Sequence, residues 1–293
     1  MQNSIADARH TEQIEAHGLK ALRLRASGSE ALVYLHGAHV ASFRTSEHGE
    51  LLWLSEKALY APGKAIRGGV PICFPWFGAH AARSDLPAHG FARTREFVFE
   101  GSELHGDTVV AELTLRADTH TLAWFPHPFS ARLRVSVGRE LSLAFEVENT
   151  GSDSFDYELA LHTYLAVSDV RNVELVGLAG ASYDDKVSGA VGCVEGAAPL
   201  RFVAETDRVY DSNARVSVLD PSRKRRLVID KTRSATTVVW NPWIDKAKRM
   251  ADFGDDEWPG MLCVETANTG RHRITLGPES RHTTTTIISA ETP

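Results

Sequence analysis

The chain has 293 residues, enough for two average domains or for one large all-β unit. With 43% apolar and 24% charged residues it can build a substantial core, which excludes a disordered or collagen-like polymer. The 38 acidic and 32 basic side chains leave a formal net charge of -6, the wrong sign for a protein that draws affinity from nucleic-acid phosphates.

Period-two alternation recurs along most of the chain, whereas apolar spacing of three and four is scarce, so the sequence reads as mostly strand. Strands are expected at 19–27, 31–40 and 51–54. Two stretches rich in glycine and proline follow, 66–78 and 86–93, and their composition predicts loops. A short strand at 97–100 precedes Val109, Ala111, Leu113 and Leu115, which alternate with Val110, Glu112, Thr114 and Arg116 as in a half-buried strand. Ala131 to Val137 and Leu141 to Val147 carry alternating apolar sets on either side of Gly138-Arg139-Glu140, the pattern of a hairpin. The meander continues through 155–168, and further strands are expected at 227–231, 236–240, 261–267 and 283–289. One short helix is expected after Asn241, with Asn241 as its cap, Pro242 at its first position and Gly254 near its end. No fixed-period repeat, linker or composition break divides the chain, so residues 1–293 read as one all-β domain, an antiparallel sandwich or barrel.

Three cysteines, Cys73, Cys193 and Cys263, contain no Cys-x-x-Cys pair, so neither a disulfide framework nor a thiol-based zinc site is expected, and a reducing compartment fits best. His36 and His39 are the closest tempting metal pair, but an odd separation on a regular strand sends them to opposite faces. The sequence contains no Gly-x-Gly-x-x-Gly after a strand, no phosphate-binding Gly-Lys-Ser/Thr loop, no His-Glu-x-x-His and no Gly-x-Ser-x-Gly. Any chemistry is therefore expected to proceed without metal or cofactor. The first twenty residues lack the apolar stretch of a secretory signal, and the longest uncharged run, 68–82, is interrupted by two prolines. A soluble, cytoplasmic protein with no membrane partner is expected.

Four groups of residues are candidates for function. In the run from Phe155 to Leu165, the residues Phe155, Tyr157, Leu159, Leu161 and Leu165 share one parity and form a core face. His162 has the other parity, with Asp156, Glu158, Ala160 and Tyr164, and should point into a groove or solvent; a surface histidine bonded to a neighbour is the blander alternative. Glu265 lies in a strand-like run with apolar residues on both faces, where a covered carboxylate must find donors or shift its pKa upward, as a general base does. A structural glutamate satisfied by backbone N–H groups or an arginine would look the same in sequence. Arg67 and Arg93 stand beside glycines in the two loops, where a guanidinium fork can meet an anion, although pairing with a surface acid is the commoner fate. Asp207 could meet a sugar hydroxyl or pair in the surroundings of Arg208. Trp240 and Trp243 suit stacking on a sugar, with packing the more usual role of large aromatics.

Ile66-Arg67-Gly68-Gly69-Val70-Pro71, Pro87-Ala88-His89-Gly90-Phe91-Ala92-Arg93, Leu161-His162-Thr163-Tyr164, Asp207-Arg208-Val209-Tyr210, Trp240-Asn241-Pro242-Trp243 and Val264-Glu265-Thr266-Ala267 occur in that order. Together they resemble the aldose 1-epimerase (mutarotase) superfamily, and more closely its hexose-6-phosphate branch, over nearly the whole chain. The resemblance implies a galactose-mutarotase-like supersandwich, with Glu265 as general base at the anomeric hydroxyl and His162 as general acid at the ring oxygen. It implies that Arg67 and Arg93 hold the 6-phosphate while His89 and Asp207 orient ring atoms. The implied partner is a small sugar phosphate bound by a monomer. Ala88 stands where some members carry glutamine, which puts one polar contact in doubt. Tyr164-Leu165-Ala166 replaces the asparagine-rich pattern of free-galactose enzymes. The alternatives are an epimerase of unphosphorylated aldoses and a non-catalytic carbohydrate-binding module.

Overall fold

The computed structural model describes residues 10–293, and every strand ladder in it is antiparallel. The alternation that predicts the hairpin is carried into three dimensions without a slip. Phe129–Val137 and Leu141–Asn149 bury every second residue, pair Val137 with Leu141 across the three-residue turn, and so commit one whole face to the core. They lie inside an eight-stranded sheet whose other members include Thr108–Arg116, Arg225–Thr232 and Arg281–Glu291. A second sheet contains Thr206–Asp211, Thr236–Asn241, Met261–Asn268 and Leu159–Leu161, with Tyr164–Ala166 also paired to Met261–Asn268. Val135, Leu143 and Phe145 of the first sheet share one apolar cluster with Tyr157, Tyr210, Val239 and Val264, so the core fills the space between the two sheets of a β-sandwich. A five-stranded sheet from Thr11–Ala16 to Gly49–Glu50 completes the large sheets.

Several local expectations change. The strand expected over 31–40 is two strands, Ser29–Tyr34 and His39–Thr45, because Gly37 and Ala38 turn left-handed between them and the Gly37 N–H donates to the Arg95 carbonyl. The opposite-face argument for His36 and His39 therefore loses its premise; both are buried, and His36 Nε2 lies 2.6 Å from the Lys64 carbonyl oxygen. Residues 51–54 form only isolated bridges, Leu52 to Leu165 and Leu54 to Gly68. The expected helix is Trp243–Arg249, but Asn241 stays in its strand, Pro242 occupies the cap position, and the helix stops well before Gly254. The Asn241 side chain still accepts the Trp243 N–H at 2.9 Å. A second helix, Thr119–Trp124, escapes periodicity because it has under two turns; a reciprocal box between Asp118 and Thr121 starts it. No helix among the described residues is long and apolar enough to cross a membrane.

Candidate active site

One face of the second sheet forms the floor of a cleft of about 500 Å³. Register explains which side chains meet there. Asp207 pairs with Trp240, Val209 with Val238 and Asp211 with Thr236, while Val238 pairs with Glu265 on the next strand. All seven share one pleat direction, and all seven line the cleft. Tyr210, of the opposite parity on the same strand as Asp207 and Val209, is buried in the core. Arg208 likewise turns away from the cleft, to Glu195 at 3.0 Å and Asp185 at 3.5 Å, so Asp207 takes no part in its pairing.

His162 joins this face by the same rule. Leu161 pairs with Thr266 and Tyr164 with Cys263, a constant register that sets His162 directly opposite Glu265. The ladder is interrupted only at residues 162 and 163, where the His162 N–H donates to the Pro71 carbonyl and the Val264 N–H donates to the Thr163 carbonyl. Nε2 of His162 consequently lies 3.3 Å from Oε1 of Glu265. The predicted parity holds, but the histidine is not on the surface: His162 is 7% exposed and Glu265 1%. Tyr164 stacks on the imidazole with centroids 4.7 Å apart, and Trp240 meets its edge at 6.1 Å.

Burial dominates the electrostatics of this pair. It drives His162 well below the ordinary imidazole value, with the charges of His89, Arg93 and Arg67 acting in the same sense. It drives Glu265 well above the ordinary carboxyl value, and Asp207 adds to the rise. Burial thus favours the uncharged forms of both groups, a neutral imidazole beside a neutral carboxyl, over the ion pair. Nδ1 of His162 and Oε2 of Glu265 are buried without a hydrogen-bond partner.

The loops predicted from glycine and proline form the rim. His89 lines the cleft in a left-handed conformation, and its Nδ1 faces the Gly78 N–H at 3.3 Å while its own N–H donates to the Gly78 carbonyl. Gly90 follows because a Cβ there would fall 2.0 Å from the Phe74 carbonyl oxygen. Burial lowers the His89 pKa to about 3, so with Nδ1 accepting, the neutral ring presents Nε2–H toward the cleft. Arg67 also lines the cleft, gripping Asp252 through Nε and Nη2 and donating from Nη1 to the Tyr164 hydroxyl at 2.9 Å. Arg93 is not among the lining residues; its Nη2 donates to the Ala88 carbonyl, and its charge is felt at His89, His162 and Glu265.

Other lining residues carry little mark in the sequence. Lys246, on the helix Trp243–Arg249, lies 2.8 Å from Glu205 and 3.6 Å from Asp207, and burial raises the Asp207 pKa. Glu158 accepts the Phe77 and Gly270 N–H groups at 2.9 and 2.6 Å, tying two rim loops together. Its parity with His162 was the one available signal. Trp240 lines the cleft, whereas Trp243 packs on Trp258 at 4.3 Å.

The chain matches the family described as aldose 1-epimerase over residues 20–289. A protein of Cenchrus ciliaris, named as a candidate glucose-6-phosphate 1-epimerase, is 39% identical over 272 residues, which cover 89% of this chain and 82% of that one. An Escherichia coli K12 protein with the same name is 36% identical, covering 80% and 78%. Among solved structures, a candidate mutarotase from Salmonella typhimurium superimposes with a TM-score of 0.89 at 29% identity, covering 97% of this chain and 95% of that one. A galactose mutarotase-like protein of Clostridium acetobutylicum, 15% identical with a TM-score of 0.73 over 97% and 98% of the two chains, shares the fold. By its matched sequence over most of its length, the chain belongs to the aldose 1-epimerase family.

Proposed function

We propose that the protein interconverts the α and β anomers of D-hexose 6-phosphates by opening and reclosing the sugar ring. The observation that carries this reading is the His162–Glu265 contact of 3.3 Å on the buried floor of an open cleft. In the reaction, Glu265 takes the proton of the anomeric hydroxyl as the C1–O5 bond breaks, and His162 gives its proton to O5. The open-chain aldehyde turns about C1–C2. On closure His162 recovers the proton from the O5 hydroxyl while Glu265 returns its own to the carbonyl oxygen, so the pair ends as it began. Each positioned acid or base contributes roughly 10²–10⁴-fold, and the step only moves protons.

The two tautomers of the pair, imidazolium with carboxylate and imidazole with carboxyl, carry the same net charge. Switching between them places no net charge on the buried floor. Arg67 meets the 6-phosphate in the cleft and Arg93, outside the lining, acts on it through charge alone; the phosphate charge of about -1.5 to -2 offsets the two guanidinium charges that disfavour the His162 imidazolium. Substrate phosphate thus moves the pair toward its acid-ready tautomer. His89 donates from Nε2 to a ring substituent, and Asp207 accepts a ring hydroxyl. The names carried by the two similar proteins support a phosphorylated substrate.

Magnetisation exchange between the anomers of glucose 6-phosphate tests the reading. Acceleration by catalytic amounts of protein, lost in His162→Ala, is expected; no acceleration would leave a carbohydrate-binding module. Replacing Arg67 and Arg93 with alanine should erase the preference for glucose 6-phosphate over glucose, and an unchanged preference would refute the phosphate assignment.

A further inference from the structure

The floor holds a thiol close to His162 and Glu265 that the proposed reaction does not use. Cys263 precedes Glu265 by two residues on the same face of Met261–Asn268, between Tyr164 and Trp240 in the ladder. One ligand atom each from His162, Cys263 and Glu265 lie within 4.8 Å of one another, and all three residues are buried. Two further observations mark the spot. Nδ1 of His162 and Oε2 of Glu265 are buried polar atoms without a partner, an arrangement that a cation could satisfy. The cleft also gives a path to the floor, since the imidazole and the Glu265 side chain line it.

We propose that His162, Cys263 and Glu265 form a binding site for a thiophilic divalent cation, Zn2+ foremost, whose occupancy excludes sugar from the cleft floor. One sulfur, one imidazole nitrogen and one carboxylate oxygen are a donor set that favours Zn2+ over Mg2+ or Ca2+. Bonds of about 2.3 Å to sulfur and about 2.0–2.2 Å to nitrogen and oxygen require the three side chains to draw in slightly. A fourth position is left toward the cleft for water. Binding sends the Cys263 thiol proton and the Glu265 carboxyl proton to solvent and forms only metal–ligand bonds. The cation occupies both proton-transferring groups, so it inhibits rather than assists. The inhibition clause rests on the reaction proposed above, while the binding clause does not.

Equilibrium dialysis of the full chain against Zn2+ tests binding by itself. The protein should take up one Zn2+ per chain, and Co2+ in its place should give a thiolate-to-metal charge-transfer band. Cys263→Ala and Cys263→Ser should each lose the band and weaken Zn2+ at least about tenfold, since even outer partners of a metal site are worth 10–100-fold. Both variants should keep mutarotation and become resistant to Zn2+, whereas in the unaltered protein Zn2+ should raise the apparent KM and a chelator should restore it. Equal Zn2+ affinity in the folded variants, or no Zn2+ uptake, overturns the site. A protein that binds Zn2+ through Cys263 yet exchanges no anomers keeps the site and refutes the reaction.

Discussion

Glu265→Gln separates chemistry from folding. Glutamine keeps the shape of a side chain that is 1% exposed, and its amide stands at the same contact with His162 Nε2, 3.3 Å from Oε1 in the unaltered protein. What it loses is the ability to take a proton. The loss should reduce kcat by roughly 10²–10⁴, or about 2.7–5.4 kcal/mol at about 1.36 kcal/mol per decade. Stability should move the other way. The folded carboxyl has its pKa raised above the unfolded value by burial and by Asp207, so its contribution is complete below the unfolded value and is lost as pH rises through the folded one. The variant escapes that loss, and its Tm should equal that of the unaltered protein in acid and exceed it increasingly toward alkaline pH. Anomer exchange and thermal melts across pH read both quantities. A variant within tenfold of the original kcat would remove Glu265 from the proton path, and a Tm that falls with pH as steeply as before would refute its buried, raised carboxyl.

Inorganic phosphate added to the empty protein should raise the His162 pKa in an NMR titration, by offsetting Arg67 and Arg93, and no response would separate phosphate binding from acid priming. Asp207→Asn removes a negative charge that raises Glu265, so the acidic limb of the activity profile should move to lower pH; an upward move would refute the coupling. Glu158→Ala frees the Phe77 and Gly270 N–H groups and should raise KM several-fold, with kcat less affected because the floor strands keep their ladder. An equal loss in kcat would place Glu158 in the chemistry. The pH profile of the unaltered protein should be bell-shaped and belong to the His162–Glu265 pair as a unit.

Alternation made much of the fold legible because a residue's side of the sheet is a local property. Ala131 to Val137 and Leu141 to Val147 announce both their strands and their turn, and the side chains fall where the pattern puts them. The same parity placed His162 with Glu158 and Ala160, facing away from the main core. Its burial was not legible, since the cover comes from the loops that carry Pro71, Gly78 and His89, and composition identifies a loop without saying what it lies over. Nor was the pairing of His162 with Glu265, because register between strands about a hundred residues apart leaves no local trace. Leu35 to Ala38 misled for a related reason: apolar content continues through a turn that Gly37 makes possible.

The cleft divides its work between two kinds of backbone. His162 lies in the two-residue gap between Leu159–Leu161 and Tyr164–Ala166, and Glu265 on the strand both pair with, so Leu161 against Thr266 and Tyr164 against Cys263 fix their separation before any ligand arrives. Charged lining residues also lie outside that ladder: Arg67 beside two glycines and Lys246 on a helix of seven residues. A change in the rim can therefore alter which sugar is held while leaving the acid–base distance untouched. A one-residue slip in the floor would turn His162 or Glu265 to the opposite face and abolish the reaction outright.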